Sequence, residues 1–258
     1  MSLIFKTPNC SDLRTLVHAA TYISKDANIK FGTRGIVLEG SAENFGTYSA
    51  TFHRSNADEF YQGDIPTHAC QSGIDLQKLA TSIKTHDQRG VAKFILEKDY
   101  NLKAKPKLLL VHEHPEVTTE YKIALYTILE NNHQPFNPMI SATLSSMNKL
   151  VVMLKKHTTK EDVQFVLDFR QRTLSVECGN DRAYRQGIDI KIDRKATEGK
   201  LKNPDFYRSL PFPMASLKLL YKSPALNKQS ITIGFDLSQP SPMLGVKFKD
   251  ITFQVKPT

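Results

Sequence analysis

The chain has 258 residues, 40% hydrophobic and 24% charged, which suits one large or two ordinary globular domains and argues against disorder. No apolar run approaches the roughly 20 residues that cross a bilayer, and MSLIFKTPNC lacks the basic start and apolar stretch of a secretory signal. Cys10, Cys70 and Cys178 form no CxxC pair, so a reducing compartment without structural zinc is the simple reading. The formal net charge is +9: residues 1–138 hold 15 Lys+Arg against 15 Asp+Glu, and residues 139–258 hold 20 against 11. The second half thus carries the whole excess, which points toward an anionic partner such as nucleic acid.

In chain order, LIFKT reads as a short strand. The segment SDLRTLVHAATYI then predicts an amphipathic helix with Ser11 as N-cap and Leu13, Leu16, Val17 and Ala20 on one face. NIKFG and IVLEG predict two strands joined by the turn TRG, and YSATFHR predicts a third. IDLQKLATSIKTH predicts a second helix with Leu76, Leu79, Ala80 and Ile83 inward; VAKFILEKD, KLLLVHEH and EYKIALYTI follow as strands. TILENNHQPFNP, residues 127–138, reads as a connector.

The plan then repeats. MISATL is a strand, and SSMNKLVVML is a helix with Ser145 as N-cap and Met147, Leu150, Val151 and Leu154 inward, each 134 residues after its counterpart. VQFVLDF, TLSVECG and AYRQGIDIKI predict strands, DRKATEGKLKNPD (193–205) a surface loop, and PMASLKLLYK a fourth helix in which Leu217 again lies 134 residues after Ile83. SITIGFDL, PMLGVKFKD and ITFQVK close the chain as strands. A tandem duplication is expected, α+β in class, with two helices per repeat packed on mostly antiparallel sheet, because the strand connections are too short for helical crossovers.

Opposite the apolar stripes, the helices present basic residues. Arg14 and His18 lie outward on the first, Lys78 and Lys84 on the second, Lys149 and Lys156 on the third, and Lys218 and Lys222 on the fourth. No Asp or Glu shares these outward faces, whereas an ordinary solvated face mixes both signs. Lysines on rigid helices, without base-reading Asn or Gln, suit phosphate contacts that give affinity without sequence preference.

This arrangement resembles the DNA sliding clamps of the proliferating cell nuclear antigen family. Local matches are SDLRTLVHAATYI with IKFGTRGIVLEG, IDLQKLATSIK, the strand EYKIAL and the terminal ITFQVKPT. The resemblance implies two clamp domains, 1–126 and 139–258, joined by the connector 127–138. It further implies a homotrimeric ring whose helices line a hole for double-stranded DNA, acting in the nucleus or a viral replication compartment. Carried over by position, the inner basic surface falls on Arg14, Lys84, Lys149 and Lys222, with His18, Lys78, Lys155, Lys156 and Lys218 beside them. Ile128, Leu129 and Phe136, flanked by Pro242, Val255 and Pro257, would bind peptides of DNA polymerase and other replication or repair proteins. Tyr121, Ile123 and Leu125 would meet Tyr184 and Ile188 of the next subunit. No enzyme activity, cofactor or metal is implied.

Departures from the family are the strongly basic charge, a slightly shorter connector without its usual acidic residues, and Thr81 and Val152 where basic residues are common. They leave open a divergent viral member, an open monomeric processivity factor and a subunit of a checkpoint-type heterotrimeric clamp. An enzyme is the competing class. The chain has no phosphate-cradling glycine motif; His112 and His114 could chelate a metal from one strand face, and Glu161–Asp162 or Asp189–Asp193 could serve a metal-dependent nuclease. These spacings are weak, and Cys178 reads as a strand residue inside the fold.

Overall fold

The computed structural model describes residues 2–42, 46–63, 70–84, 90–97, 107–127, 140–144, 148–156, 162–168, 170–178, 186–191, 207–217, 230–237, 243–249 and 251–256. Two compact units divide the chain, Met1–Ser41 with Ser49–Asn132 and His133–Thr258 with Ala42–Tyr48.

Through the first unit the order is β1 (Ser2–Thr7), α1 (Cys10–Thr21), β2 (Asp26–Gly32), β3 (Gly35–Ala42), β4 (Gly46–His53), β5 (Glu59–Tyr61), β6 (Gln71–Asp75), α2 (Leu76–Lys84), β7 (Val91–Glu97), β8 (Lys107–Glu113) and β9 (Thr118–Ala124). One sheet runs β5-β1-β7-β8-β9, and the other strands lie in the order β6-β2-β3-β4. The second unit holds β10 (Ile140–Leu144), α3 (Asn148–Lys156), β11 (Asp162–Asp168), β12 (Thr173–Cys178), β13 (Gln186–Lys191), β14 (Tyr207–Pro213), a 3-10 turn at Met214–Leu217, β15 (Ile231–Asp236), β16 (Met243–Phe248) and β17 (Ile251–Lys256). Its strands run β10-β15-β16-β17 and β13-β12-β11-β14. The pairings β1·β7, β7·β8, β8·β9 and β2·β3 in one unit, and β10·β15, β15·β16, β16·β17 and β11·β12 in the other, are all antiparallel.

Each unit closes its core with three phenylalanines. In the first, Phe5 of β1 and Phe94 of β7 meet Phe31 of β2, with ring centroids 5.8–6.4 Å apart. In the second, Phe165 of β11 and Phe212 of β14 meet Phe235 of β15 at 5.3–6.2 Å. Both triads join the two sheet layers of their own unit, and burial of such a ring stabilises by about 1.5–3 kcal/mol. Phe31 and Phe165 also stand 134 residues apart, so the offset read from the helices recurs in the core.

Helix α1 buries Leu13, Leu16, Val17 and Ala20, as its periodicity requires. Its N-cap is Asn9 rather than Ser11: the Asn9 side chain accepts from Asp12 N–H at 3.4 Å, and its own N–H donates to Thr7 Oγ1 at 3.1 Å. Helix α2 starts at Leu76 because Asp75, at the end of β6, accepts from the N–H groups of Gln77 and Lys78 at 2.9 and 3.0 Å. Leu76, Leu79 and Ile83 are buried and Ala80 half-buried, and α2 packs beside α1. In α3, Leu150, Val151 and Leu154 are buried; Met147 and Ser145 lie outside the described residues.

Three strands depart from expectation. β5 is only three residues long, β6 contains Gly73, and β14 contains Pro211 and Pro213. Proline removes a ladder donor, but β14 is the end strand of its sheet among the described residues, where that donor is not needed. Pro213 accordingly ends β14 instead of starting a helix, and Met214–Leu217 form a 3-10 turn with Leu217 buried. The rest of the expected fourth helix and the loop 193–205 lie outside the described residues.

Candidate nucleic-acid interface

The geometry of α1 and α2 sets their outer surface. An α-helix that buries positions i, i+3, i+4 and i+7 turns the intervening residues outward. Arg14 and His18 on α1, and Lys78, Thr81 and Lys84 on α2, are accordingly exposed. The His18 ring stands edge-to-face on Tyr22, centroids 5.1 Å apart, which holds the imidazole on the outer side of the helix. Thr81 turns its hydroxyl back to Gln77 O at 2.8 Å and so ties up none of the lysines. On α3, Lys155 and Lys156 are exposed together with Val152, which is 54% exposed. Val152 thus interrupts the described charge of that face, which falls on the helix's last turn. Lys149 lies on α3, with its side chain outside the description, as are Lys218 and Lys222 entirely.

The electrostatics are one-sided. The acidic residue of α1, Asp12, is buried at the N-terminus and bonded to Asn9 Nδ2 at 3.1 Å, while α2 and α3 contain no acid. Among the described residues, ion pairs form elsewhere, at Lys6–Glu59, Lys30–Glu39 and Lys93–Glu113, and none involves Arg14, Lys78, Lys84, Lys155 or Lys156. Cations without an acidic neighbour hold counterions that a phosphate backbone can displace. Within its own unit, each of these helical faces can take a polyanion without reading bases.

The other expected sites are only partly in view. Ile128, Leu129, Phe136, Pro242 and Pro257 lie outside the described residues. Val255 is buried in β17 opposite Leu244; it fills the core of its unit and offers a partner no side-chain surface. What is described is the anchorage just before the connector. Tyr126 N–H donates to Gly73 O at 3.1 Å, Gly73 N–H returns the bond to Tyr126 O at 3.0 Å, and Tyr126 OH donates to Asp26 Oδ1 at 2.7 Å. A Cβ on Gly73 would lie 2.4 Å from the Tyr126 ring, so only glycine lets the tyrosine lie there.

β9 and β13 are end strands of their sheets among the described residues. Ile123 and Leu125, expected at a subunit contact, point into the core of their own unit, whereas Tyr121 is half-buried and Glu120, Lys122 and Ala124 are exposed. Ile188 sits on β13 with its side chain outside the description, and Tyr184 lies outside it altogether. What β9 offers is therefore its free backbone edge more than an apolar patch.

The metal readings meet specific obstacles. His112 is buried on β8 with Nε2 2.9 Å from Ser82 O; a carbonyl can only accept, so this nitrogen carries the proton and is committed to α2. His114 lies beyond the end of β8 and accepts from Glu116 N–H at 3.3 Å, so the two do not share a strand face. Asp162 is exposed at the start of β11; Glu161, Asp193 and the Asp189 side chain lie outside the description. No three His, Cys, Asp or Glu side chains cluster among the described residues. All three cysteines are buried, none in a disulfide, with Cys178 on β12. No described helix is long and apolar enough to cross a membrane.

No protein-family model matches this sequence, and no curated protein does. Among solved structures it is similar to the crystal structure of proliferating cellular nuclear antigen from Entamoeba histolytica, with a TM-score of 0.71 over 99% of this chain and 98% of that one, at 13% sequence identity. At that identity the likeness establishes the fold: the chain has the sliding-clamp fold of proliferating cell nuclear antigen, two tandem α+β clamp domains of mostly antiparallel sheet.

Proposed function

We propose that this protein is a DNA sliding clamp, a non-enzymatic processivity factor that encircles double-stranded DNA and tethers a polymerase and other replication or repair proteins to it. The observation that carries the reading is that α1 and α2 of one unit, and α3 of the other, expose cations that have no ion-pair partner among the described residues, on a chain with the clamp fold. Phosphate contacts from such helices are independent of sequence, which lets a protein move along a duplex. Arg14, His18, Lys78, Lys84, Lys155 and Lys156 contact the phosphates in this reading, with Lys149, Lys218 and Lys222 extending the set. In this reading the domains are 1–126 and 139–258. The connector 127–138 docks partner peptides through Ile128, Leu129 and Phe136 beside Pro242 and Pro257. The free edges of β9 and β13 join three chains head to tail in the nucleus or a viral replication compartment.

Light scattering should give three times the chain mass of 29.2 kDa. Replacing Lys84 and Lys156 with Glu should abolish processive synthesis by a clamp-dependent polymerase while leaving the thermal melt unchanged. Unchanged processivity would exclude these helices as the DNA contact.

One observation favours a second reading, an open monomeric factor or a heteromeric clamp subunit: the whole net charge of +9 falls in residues 139–258. An open, charge-held binder stays on linear DNA and weakens steeply with salt, whereas a closed ring slides off free ends. A monomer in light scattering that is retained on linear DNA selects this form.

A further inference from the structure

Apart from the helices, the first unit carries a second cationic feature. A cleft of about 500 Å³ opens between the β2–β3 turn and the end of β4, lined by Thr33, Arg34, His53, Arg54, Ser55 and Asn56. No residue of α1 or α2 lines it, so it is separate from the helical face described above.

The cleft is built by local contacts. Arg54 N–H donates to Arg34 O at 2.9 Å, which fastens the β2–β3 turn to the strand end. Gly35, at φ +127°, makes that approach possible: a Cβ there would lie 1.9 Å from Phe52 O. Below the turn, Asp58 accepts from Ser55 N–H at 2.6 Å, and its N–H donates to Ser55 O at 3.1 Å. Arg54 Nε donates to Asp58 O at 2.9 Å, which fixes the guanidinium plane and leaves its terminal nitrogens for a ligand.

The donors outnumber the acceptors. Neither Arg34 nor Arg54 has an acidic partner among the described residues, and the carboxylate of Asp58 is buried beneath the turn. The Ser55 hydroxyl already accepts from Ala57 N–H at 3.3 Å, so it meets a ligand as a donor. Thr33 and the Asn56 amide add further donors, and the half-buried His53 forms part of the wall. Two guanidinium forks with surrounding hydroxyls suit a dianion with three oxygens better than a carboxylate with two.

We propose that this cleft is a phosphate-monoester site, held by Arg34 and Arg54, that takes a phosphorylated side chain of a partner or a small phosphorylated molecule. Titration calorimetry on the full chain with a glycine-flanked phosphoserine peptide, its unphosphorylated serine twin and inorganic phosphate tests it. The phosphopeptide should bind, the serine twin should not, and Arg34→Ala with Arg54→Ala should weaken the phosphopeptide at least tenfold while duplex DNA affinity stays within twofold. Arg34→Ala alone, which leaves the Arg54–Asp58 contact in place, should still weaken it at least threefold. Phosphate as tight as the phosphopeptide assigns the site to free molecules, and a tighter phosphopeptide assigns it to a modified partner. Equal binding of phosphorylated and unphosphorylated peptides, no loss in the double variant, or a matching loss of duplex affinity would overturn the proposal.

Discussion

The two units of this chain are built alike inside and differ outside. Strand orders β6-β2-β3-β4 and β14-β11-β12-β13 correspond, as do β1-β7-β8-β9 and β10-β15-β16-β17, and each unit closes over three phenylalanines. Yet residues 1–138 are balanced in charge and residues 139–258 carry a net +9. Packing tolerates little change in volume, whereas exposed side chains can be exchanged at little cost to the fold. Shared architecture thus leaves surface chemistry free to diverge between the repeats.

The largest effects should come from breaking the shared interior. Phe31→Ala and Phe165→Ala remove counterpart rings and should each cost about 3–5 kcal/mol in denaturant unfolding. Hydrogen exchange should place the added opening in the first unit for Phe31→Ala and in the second for Phe165→Ala. Equal exchange increases across both units in either variant would show that the repeats do not open separately.

Next in size is an asymmetry at the end of the first unit. Gly73→Ala would drive a Cβ into the Tyr126 ring and should cost about 1–3 kcal/mol. Tyr126→Phe removes the bond to Asp26 and leaves the ring in place, and should cost about 1 kcal/mol. If the latch also sets where the connector begins, Gly73→Ala should weaken binding of a polymerase peptide more than Tyr126→Phe does. Equal peptide affinity in both variants would confine the latch to stability.

A smaller difference lies at Cys10, whose 134-residue counterpart is Leu144; both are buried. Burial, with the Asp58 charge adding to it, pushes the Cys10 thiol up from 9.0 to about 11. The unfolded chain loses this proton first, so stability is intact below pH 9 and falls as pH rises toward 11. Cys10→Ala should flatten that decline by about 1 kcal/mol at pH 10. An unchanged slope in the variant would place the alkaline loss elsewhere.

What the sequence made legible follows from what is local. Apolar spacing identified α1, α2 and α3 and the 134-residue offset, because Leu16 and Leu150 sit at the same helical phase and are both buried. The three missed strands had no such signal. β14 with its prolines is tolerated at its place on a sheet edge among the described residues, and the glycine of β6 makes room for Tyr126, 53 residues farther on. Ser11 was the expected cap, and the helix starts two residues earlier because Asn9 caps Asp12 N–H and is itself held by Thr7. The arginine cleft joins two turns that lie apart in the chain, and no motif links Arg34 to Arg54.

The smallest expected effect per residue is also the sharpest test of the surface difference. Replacing Arg14 and Lys84 with Ala removes two cations from the balanced half; replacing Lys155 and Lys156 removes two from the basic half. If each contacts one phosphate, either pair should lower the slope of log affinity against log salt by about 1.8, at roughly 0.9 per contact. Neutralising Lys6 or Lys93, already paired with Glu59 and Glu113, should leave the slope unchanged and serves as the control. A fall confined to the Lys155–Lys156 pair would mean that the second half grips DNA alone, as an open factor would. A fall in both pairs requires helices of both repeats to face the same duplex, because the slope counts displaced counterions and not affinity in general.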